Sequence, residues 1–241
     1  MSKTVIGFLA FPGLLQLDLT GAYGVFAAGP ETAVHLIWKD LTPIKSSDGL
    51  AIAPTVTMVD CPQLDVLCVP GGSGILPLLE DEESLTFLRK QAESATYVAS
   101  VCTGALVLGA AGLLHGHKAT THWSSTDLLA PLGATYIPRR VVKDGNRITA
   151  AGVTSGIDMA LTLAVELWGE NTAKTIALNM EYAPEPPFAS GSPETAPREV
   201  LQAWLQKNAN RQSERTAAVT RAASKLSVEK PDMARGRPGT L

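Results

Sequence analysis

The sequence has few aromatic residues and little net charge, and each shortage argues against a class of protein. Aromatic residues make up 5% of the 241 residues, which is too few for a surface that stacks the bases of single-stranded nucleic acid. The formal net charge is −3, so no excess of positive charge favours nucleic acid or an anionic membrane. We therefore expect neither nucleic acid nor a membrane as a partner.

Long apolar runs and paired cysteines are missing as well. No stretch reaches the roughly eighteen uninterrupted apolar residues typical of a membrane-spanning helix. The apolar run at 5–11 is too short for a signal peptide and lacks a small-residue cleavage site, which favours a first buried strand. The cysteines Cys61, Cys68 and Cys102 are odd in number and lack metal-ligand spacing. They indicate free thiols in a reducing cytoplasm.

The chain instead shows a regular alternation of apolar strand patterns and helix patterns. This alternation predicts an α/β fold with a mostly parallel central sheet and helices on both faces. The expected strands lie at 5–11, 33–38, 64–69, 97–101 and 117–122, and the expected hairpins lie around 46–49 and at 139–150. The expected helices lie at 18–28, 82–93, 103–114, 128–132 (capped from 124–127), 154–168, 170–182 and 199–225.

Composition divides the chain into three parts. Residues 1–182 carry the alternating pattern and predict one α/β domain. Residues 183–226 hold a proline-containing arm and a polar, amphipathic helix, which we expect to pack on the body or on a partner subunit because it has little apolar surface. Residues 227–241 have few apolar anchors and predict a disordered tail.

One cysteine stands where a strand pattern runs directly into a helix pattern. Cys102 follows the apolar run 97–101 and precedes a small-residue helix. That junction places the thiol at the carboxyl edge of the sheet, where ligands bind in open α/β folds, and at a helix N-terminus, which favours the thiolate. The sulfur is a candidate nucleophile, and a buried structural cysteine is the alternative. Cys68, inside an apolar run, is expected in the core.

Two further turns are expected at the same edge of the sheet. The segment 70–74 contains Gly72 and Ser73, and its glycines allow backbone N–H groups to face a site, although a plain tight turn is the alternative. Asp18 follows the first strand and either caps the first helix or has a catalytic role. His122 ends a predicted strand and could approach the pocket, but nothing local demands a cysteine–histidine pair.

Together these features resemble the ThiJ/PfpI superfamily over about residues 3–182. The Pro-Gly-Gly turn at 70–72, the cysteine at a strand-to-helix turn and the flavodoxin-like alternation carry the resemblance. Within the superfamily the chain is most similar to the isocyanide hydratases. That similarity rests on the segments Phe11-Pro12-Gly13, Leu17-Asp18-Leu19-Thr20-Gly21, Cys102-Thr103-Gly104 and Thr121-His122-Trp123.

The resemblance implies a flavodoxin-like sandwich with a helical carboxy-terminal extension, assembled as a homodimer without a metal or organic cofactor. It implies Cys102 as the nucleophile, Asp18 as the acidic residue and Thr103 as a hydrogen-bonding neighbour of the sulfur. Gly72 and the Thr103 amide match the oxyanion-type donors of the family. The residues expected to contact substrate are Gly72, Ser73, His122 and Trp123.

The implied activity is hydration of an isocyanide to an N-substituted formamide. Attack by Cys102 gives a thioimidate, Asp18 or a water that it orients delivers a proton to nitrogen, and addition of water releases the formamide. We expect a small, mostly apolar pocket, because isocyanides offer few groups that form hydrogen bonds.

Other branches of the superfamily differ at these positions. The peptidases carry histidine directly after the cysteine, where this chain has Thr103, and the deglycase branch uses glutamate in the first turn, where this chain offers Gln16 and Asp18. The AraC-type regulators share several motifs but continue into about a hundred residues of DNA-binding domain, whereas fewer than sixty follow Tyr182 here. These departures favour the hydratase; a ligand-sensing domain and a glyoxalase or deglycase activity are the alternatives.

Overall fold

A computed structural model of the chain describes residues 3–228. Its strands are β1 (Thr4–Leu9), β2 (Thr32–Trp38), β3 (Ile44–Lys45), β4 (Ala51–Ile52), β5 (Val56–Thr57), β6 (Val66–Val69), β7 (Tyr97–Val101), β8 (Lys118–Ala119), β9 (Thr135–Tyr136), β10 (Val141–Asp144) and β11 (Arg147–Ala150). Its α-helices are α1 (Gln16–Ala27), α2 (Ile75–Leu78), α3 (Glu82–Ala92), α4 (Gly104–Ala110), α5 (Ser155–Trp168), α6 (Glu170–Asn179) and α7 (Arg198–Val228).

The centre of the fold is a seven-stranded sheet in the order β10-β11-β7-β6-β1-β2-β5. The pairs from β11 to β5 are parallel, and only the edge pair β10–β11 is antiparallel. Every residue of β6 is buried, as expected for a parallel strand covered on both faces. The predicted α/β architecture with a mostly parallel sheet is confirmed.

Two groups of helices cover this sheet. Helix α5 packs against both α1 and α6, while α4 packs against α2 and α3. Large apolar side chains such as Phe8, Phe26 and Leu67 are fully buried between the layers. Because β1, β6, β7 and β11 run in the same direction, the turns that follow them meet at one edge of the sheet.

The carboxy-terminal extension is dominated by the long helix α7. It packs on α4 and α2 of its own chain and buries Ala218, Val219 and Ala222. The predicted helix at 199–225 is therefore confirmed. Of the predicted disordered tail at 227–241, the first two residues belong to α7 and the rest lies outside the described residues.

The helix predicted at 103–114 was too long. It is α4, which ends at Ala110, because Gly112 adopts a left-handed φ of 78°. The Gly112 N–H donates to the Gly109 carbonyl, and the Leu113 N–H donates to the Leu108 carbonyl. This pair of bonds is the Schellman motif, which satisfies the last carbonyl groups of a helix and stops it.

Two predictions between β8 and β9 were also wrong. The strand predicted at 117–122 is only β8, because the Thr120 N–H donates to the side chain of Thr149 instead of a neighbouring strand. The helix predicted at 128–132 is replaced by two short 3₁₀ helices, Trp123–Leu128 and Ala130–Leu132. The first 3₁₀ helix is capped by His122, whose side chain accepts the Ser124 N–H. The cap predicted at 124–127 therefore lies within this helix and not at its start.

Residues 3–228 contain neither a candidate membrane span nor a candidate metal cluster. None of the helices there combines the length and the apolar character needed to cross a bilayer. No group of three or more His, Cys, Asp or Glu side chains in the same part of the chain is placed to hold a metal ion.

Candidate active site

Cys102 occupies a tight turn between β7 and α4, where the sequence predicts it. Its φ of 57° lies in the left-handed region, which is strained for a residue other than glycine. The Cys102 N–H donates to the carbonyls of Ala150 and Ala151 at 3.1 and 2.8 Å, and its own carbonyl accepts the Thr121 hydroxyl at 2.8 Å. These bonds hold the strained backbone in place. The side chain is only 6% exposed.

Two glycines allow the neighbouring turns to approach the Cys102 turn closely. A Cβ on Gly104 would lie 2.0 Å from the Val69 carbonyl oxygen. A Cβ on Gly71 would lie 2.6 Å from the Thr103 hydroxyl and 2.8 Å from the Asp18 carboxylate. Real Cβ atoms do not approach other atoms this closely, so a side chain at either position would push the turns apart.

Asp18 does not cap the first helix, contrary to one of the two readings of the sequence. Helix α1 begins at Gln16, its N-cap is Leu15, and no side chain within the described residues caps it. Asp18 is therefore the third residue of the helix, and its carboxyl group is fully buried. Oδ2 accepts the Gly71 N–H at 2.9 Å, and the side chain interacts with the thiol of Cys102. Oδ1 is buried without a hydrogen-bond partner within residues 3–228.

Burial governs the proton affinity of this Cys102–Asp18 pair. Burial raises the pKa of Asp18 from 3.8 to about 7, and its hydrogen bonds with Gly71 and Cys102 offset only part of the rise. Burial, followed by the charge of Asp18, also raises the pKa of the Cys102 thiol, although the N–H groups of Thr103 and Val153 oppose the rise. The helix end alone therefore does not make Cys102 a thiolate. The two side chains titrate as a pair, and between their two ionisations they share one proton.

The glycine loop that follows β6 contacts Thr103. The Gly72 N–H donates to the Thr103 hydroxyl at 3.2 Å, so it is bonded within the protein. Gly72 has a φ of 135°, and a Cβ there would lie 2.4 Å from the Leu15 nitrogen, which makes glycine the residue that fits. Ser73 donates a long hydrogen bond of 3.4 Å to the Gly13 carbonyl.

A cavity of about 160 Å³ opens beside Cys102. Gly72, Ser73, Thr103 and His122 line it together with Cys102. The structure therefore brings these predicted site residues together, and the buried Asp18 lies behind the sulfur.

Helix α7 closes the other side of this cavity. Its contribution, which we call the α7 wall, consists of Trp204, Asn208, Arg211, Gln212 and Arg215. Four of these five side chains are polar, although the exposed lining of the cavity as a whole is mostly apolar, as expected. The polar groups were not expected, and they are present because α7 lies across the open edge of the sheet.

The predicted substrate contact Trp123 does not line the Cys102 cavity. Its ring packs on Trp204, with 4.4 Å between ring centroids, and it borders a separate cavity of about 500 Å³. Trp123 therefore supports the α7 wall from behind.

His122 is held as a neutral side chain at neutral pH. Burial, and then the positive charge of Arg215, lower its pKa from 6.5 to about 4. Nδ1 accepts the Ser124 N–H at 3.2 Å, which assigns the remaining ring proton to Nε2. The ring also stacks on Trp204 at 6.2 Å. These contacts fix its orientation at the mouth of the cavity.

Sequence reasoning missed two kinds of residue at this site. Val153 contributes its backbone N–H to the sulfur, and no side-chain pattern reports such a donor. The α7 wall was missed although the spacing of Trp204, Asn208, Arg211 and Arg215 places them on one helical face. That spacing was the available signal, but it does not reveal what the face covers.

Comparisons with known proteins agree with this geometry. Residues 3–166 match the model of the DJ-1/PfpI family. The chain is 57% identical to an isonitrile hydratase of Pseudomonas putida over 223 residues, covering 92% of this chain and 98% of that enzyme. A ThiJ/PfpI family protein of Pseudomonas syringae superimposes with a TM-score of 0.88, 42% identity and 91% coverage of both chains. The HTH-type transcriptional regulator GbdR of Pseudomonas aeruginosa is 33% identical over 149 residues, but these cover 59% of this chain and 39% of the regulator. The chain belongs to the DJ-1/PfpI family.

Proposed function

We propose that this protein hydrates isocyanides to N-substituted formamides, with Cys102 as the nucleophile. The similarity to an isonitrile hydratase over almost its whole length supports the substrate class. The observation that carries the catalytic part is the buried Cys102–Asp18 pair at the wall of a small cavity. Such a pair supplies both a sulfur nucleophile and a proton, which are the two requirements of the first step.

The cavity suits a small substrate. A protein cavity of about 150 Å³ accommodates benzene, and the volume beside Cys102 is about 160 Å³. Leu15, Val153 and Trp204 provide apolar contacts for the body of the substrate. A cyclohexyl or phenyl isocyanide therefore has an appropriate size.

In the first half of the reaction, the sulfur of Cys102 bonds to the terminal carbon of the isocyanide. The proton shared by the pair is transferred through Asp18 to that carbon, which gives the thioimidate R–N=CH–S and leaves Asp18 as a carboxylate. The first proton therefore goes to carbon, and not to nitrogen as expected from the sequence. The carbon of the product formamide carries one hydrogen, and the isocyanide carbon carries none. A carboxyl group with a pKa of about 7 is well suited to give and take a proton near neutral pH.

In the second half, water adds to the same carbon. Asp18 takes a proton from the water and passes it to nitrogen, while the hydroxyl group bonds to carbon. Collapse then breaks the carbon–sulfur bond, and the hydroxyl proton returns to the Cys102–Asp18 pair. The product is R–NH–CHO, and the enzyme has regained its starting protonation state.

The neighbouring donors have supporting roles in this proposal. The N–H groups of Thr103 and Val153 approach the sulfur and stabilise negative charge that forms on it. The hydroxyl of Thr103 holds the Gly72 loop through the bond at 3.2 Å. Gly72, Ser73 and His122 contact the substrate as part of the cavity lining.

We further propose that the protein acts as a homodimer in the cytoplasm. Exposed apolar side chains on the adjacent helices α5 and α6, Val165 at 42% and Leu178 at 81%, offer surface to a second copy. Cys61, Cys68 and Cys102 are free thiols, which is typical of a reducing compartment. Light scattering of the purified chain tests the assembly, and a monomeric mass would reject it.

The activity is tested by supplying cyclohexyl isocyanide to the purified protein and measuring the formamide. We expect many turnovers per subunit, whereas methylglyoxal and peptides should be poor substrates. A ligand-sensing domain would instead bind the isocyanide stoichiometrically and leave it unchanged. That result, or strong deglycase activity without hydration, would overturn the proposal.

A further inference from the structure

An unusual cation lies in the α7 wall. Arg215 is only 8% exposed, and no carboxylate within residues 3–228 forms a salt bridge with it, although buried arginines are normally paired. Its Nη1 donates to the Ser125 hydroxyl at 2.7 Å and to the side-chain amide oxygen (Oε1) of Gln212 at 3.2 Å. Its Nε is buried and has no hydrogen-bond partner in the same part of the chain. Neutral groups therefore hold the guanidinium in place without neutralising its charge.

A second cation lines the same cavity. Arg211 lies one helical turn before Arg215, and both border the space that reaches Cys102. The two positive charges oppose each other. Arg211 is exposed, so water solvates its charge, whereas the charge of Arg215 is buried. An anion in the cavity would pair with the buried charge of Arg215, and Arg211 would add to the attraction.

We propose that the α7 wall is a carboxylate subsite, and that the preferred substrates are short isocyanides bearing a carboxylate. This inference rests on the proposed function where it names the substrate. With the terminal isocyanide carbon at Cys102, a carboxylate one or two carbon atoms beyond the nitrogen fits a cavity of about 160 Å³. Arginine binds carboxylates through charge-assisted and often bidentate hydrogen bonds, and both Arg211 and Arg215 line the cavity. Asn208 and Gln212 add neutral polar groups to the same wall.

The first test compares isocyanoacetate with its neutral ethyl ester. We expect kcat/KM of the unaltered protein to favour isocyanoacetate, and Arg215→Met to reduce that ratio by roughly ten- to a hundredfold, as for loss of a charge-assisted hydrogen bond. Arg211→Met should shift the ratio in the same direction by less, and it replaces Arg215→Met if the latter fails to fold. The matched control is Arg221→Met, because Arg221 is on the same helix but pairs with Glu80 at the surface; it should leave the ratio unchanged.

The second test needs no hydratase activity. Iodoacetate and iodoacetamide both alkylate Cys102, but only iodoacetate carries a carboxylate. We expect the ratio of their rates to be at least about tenfold higher in the unaltered protein than in Arg215→Met. If this preference holds while no isocyanide is consumed, the proposed function fails and the subsite stands.

Two outcomes would overturn the subsite itself. One is an unchanged preference between charged and neutral reagents in both arginine variants. The other is an equal slowing of iodoacetate and iodoacetamide in Arg215→Met, which would mean that Arg215 only stabilises the thiolate of Cys102.

Discussion

Replacing Asp18 with asparagine should stabilise the protein at pH 8 while it abolishes most of its activity. Asparagine has almost the same shape, and its carbonyl oxygen can still accept the Gly71 N–H, which now bonds Oδ2 at 2.9 Å. What the substitution removes is the buried carboxyl group that ionises. Activity should fall by about a hundredfold or more, because the amide cannot exchange a proton at neutral pH.

The size of the stabilisation follows from the pKa. Burial raises the pKa of Asp18 from 3.8 to about 7, and each tenfold change in proton affinity corresponds to about 1.4 kcal/mol, so ionising it in the folded protein costs on the order of 4 kcal/mol. The folded state binds the proton more tightly than the unfolded state. This contribution to stability is therefore fully present below about pH 3.8 and is lost as the pH rises through about 7. The Asp18→Asn protein does not lose stability in this way as the pH rises, because the amide does not ionise.

Urea unfolding at pH 4.5 and pH 8 measures the effect. The free energy of unfolding of the variant, relative to the unaltered protein, should rise by a few kcal/mol between the two pH values. Cys102→Ala is the control, because it removes the thiol, should also be inactive, and retains the buried carboxyl group. Equal pH dependence in the Asp18→Asn and unaltered proteins would refute the reasoning about burial, and near-normal turnover would refute the proton-transfer role.

Three further substitutions test other parts of the site. Cys102→Ala should abolish turnover, and Cys102→Ser should be nearly as poor, since a serine hydroxyl stays protonated near pH 7. Mass spectrometry of the unaltered protein after acid quenching should find the substrate adduct on Cys102. An adduct on Cys61 would reject the mechanism. Gly104→Ala should lower the free energy of unfolding by about 1–3 kcal/mol or more, because its Cβ would lie 2.0 Å from the Val69 oxygen. Gly191→Ala should have almost no effect, because no atom of residues 3–228 outside its chain neighbours would lie within 4 Å of the added Cβ. Thr103→Val should destabilise the folded protein by roughly 1–3 kcal/mol, because the Gly72 N–H loses its acceptor. Thr103→Ser keeps the hydroxyl group and should have the stability and turnover rate of the unaltered protein.

The sheet edge was predictable because its signals are local. Cys102 lies between an apolar strand pattern and a small-residue helix pattern, which predicts the strand-to-helix junction. The glycines that follow β6 within a few residues predict a tight turn. Parallel strands then bring such turns together. These inferences require only the order of neighbouring residues.

The parts that failed depend on contacts between distant segments. One of the two readings of Asp18 made it a cap, but α1 begins two residues earlier and no side chain within residues 3–228 caps it. Contacts with Gly71 and Cys102 fix the position of Asp18 instead. The polar groups that α7 adds to the cavity lie about a hundred residues after Cys102 in the chain. The amphipathic pattern of a helix identifies its faces, but the docking partner of each face is decided by the packed fold.

The cavity is built from two parts that differ in how well they tolerate substitution: the turns around Cys102 and the α7 wall. The turns around Cys102 leave little room for change, because a side chain at Gly71 or Gly104 would clash with neighbouring atoms. The wall belongs to a helix beyond the residues that match the family model, and its side chains can be exchanged without displacing those turns. Substitutions in α7 alone would therefore broaden or narrow the substrate range of such an enzyme. A descendant with neutral residues in place of Arg211 and Arg215 would retain the same chemistry and serve a different metabolite.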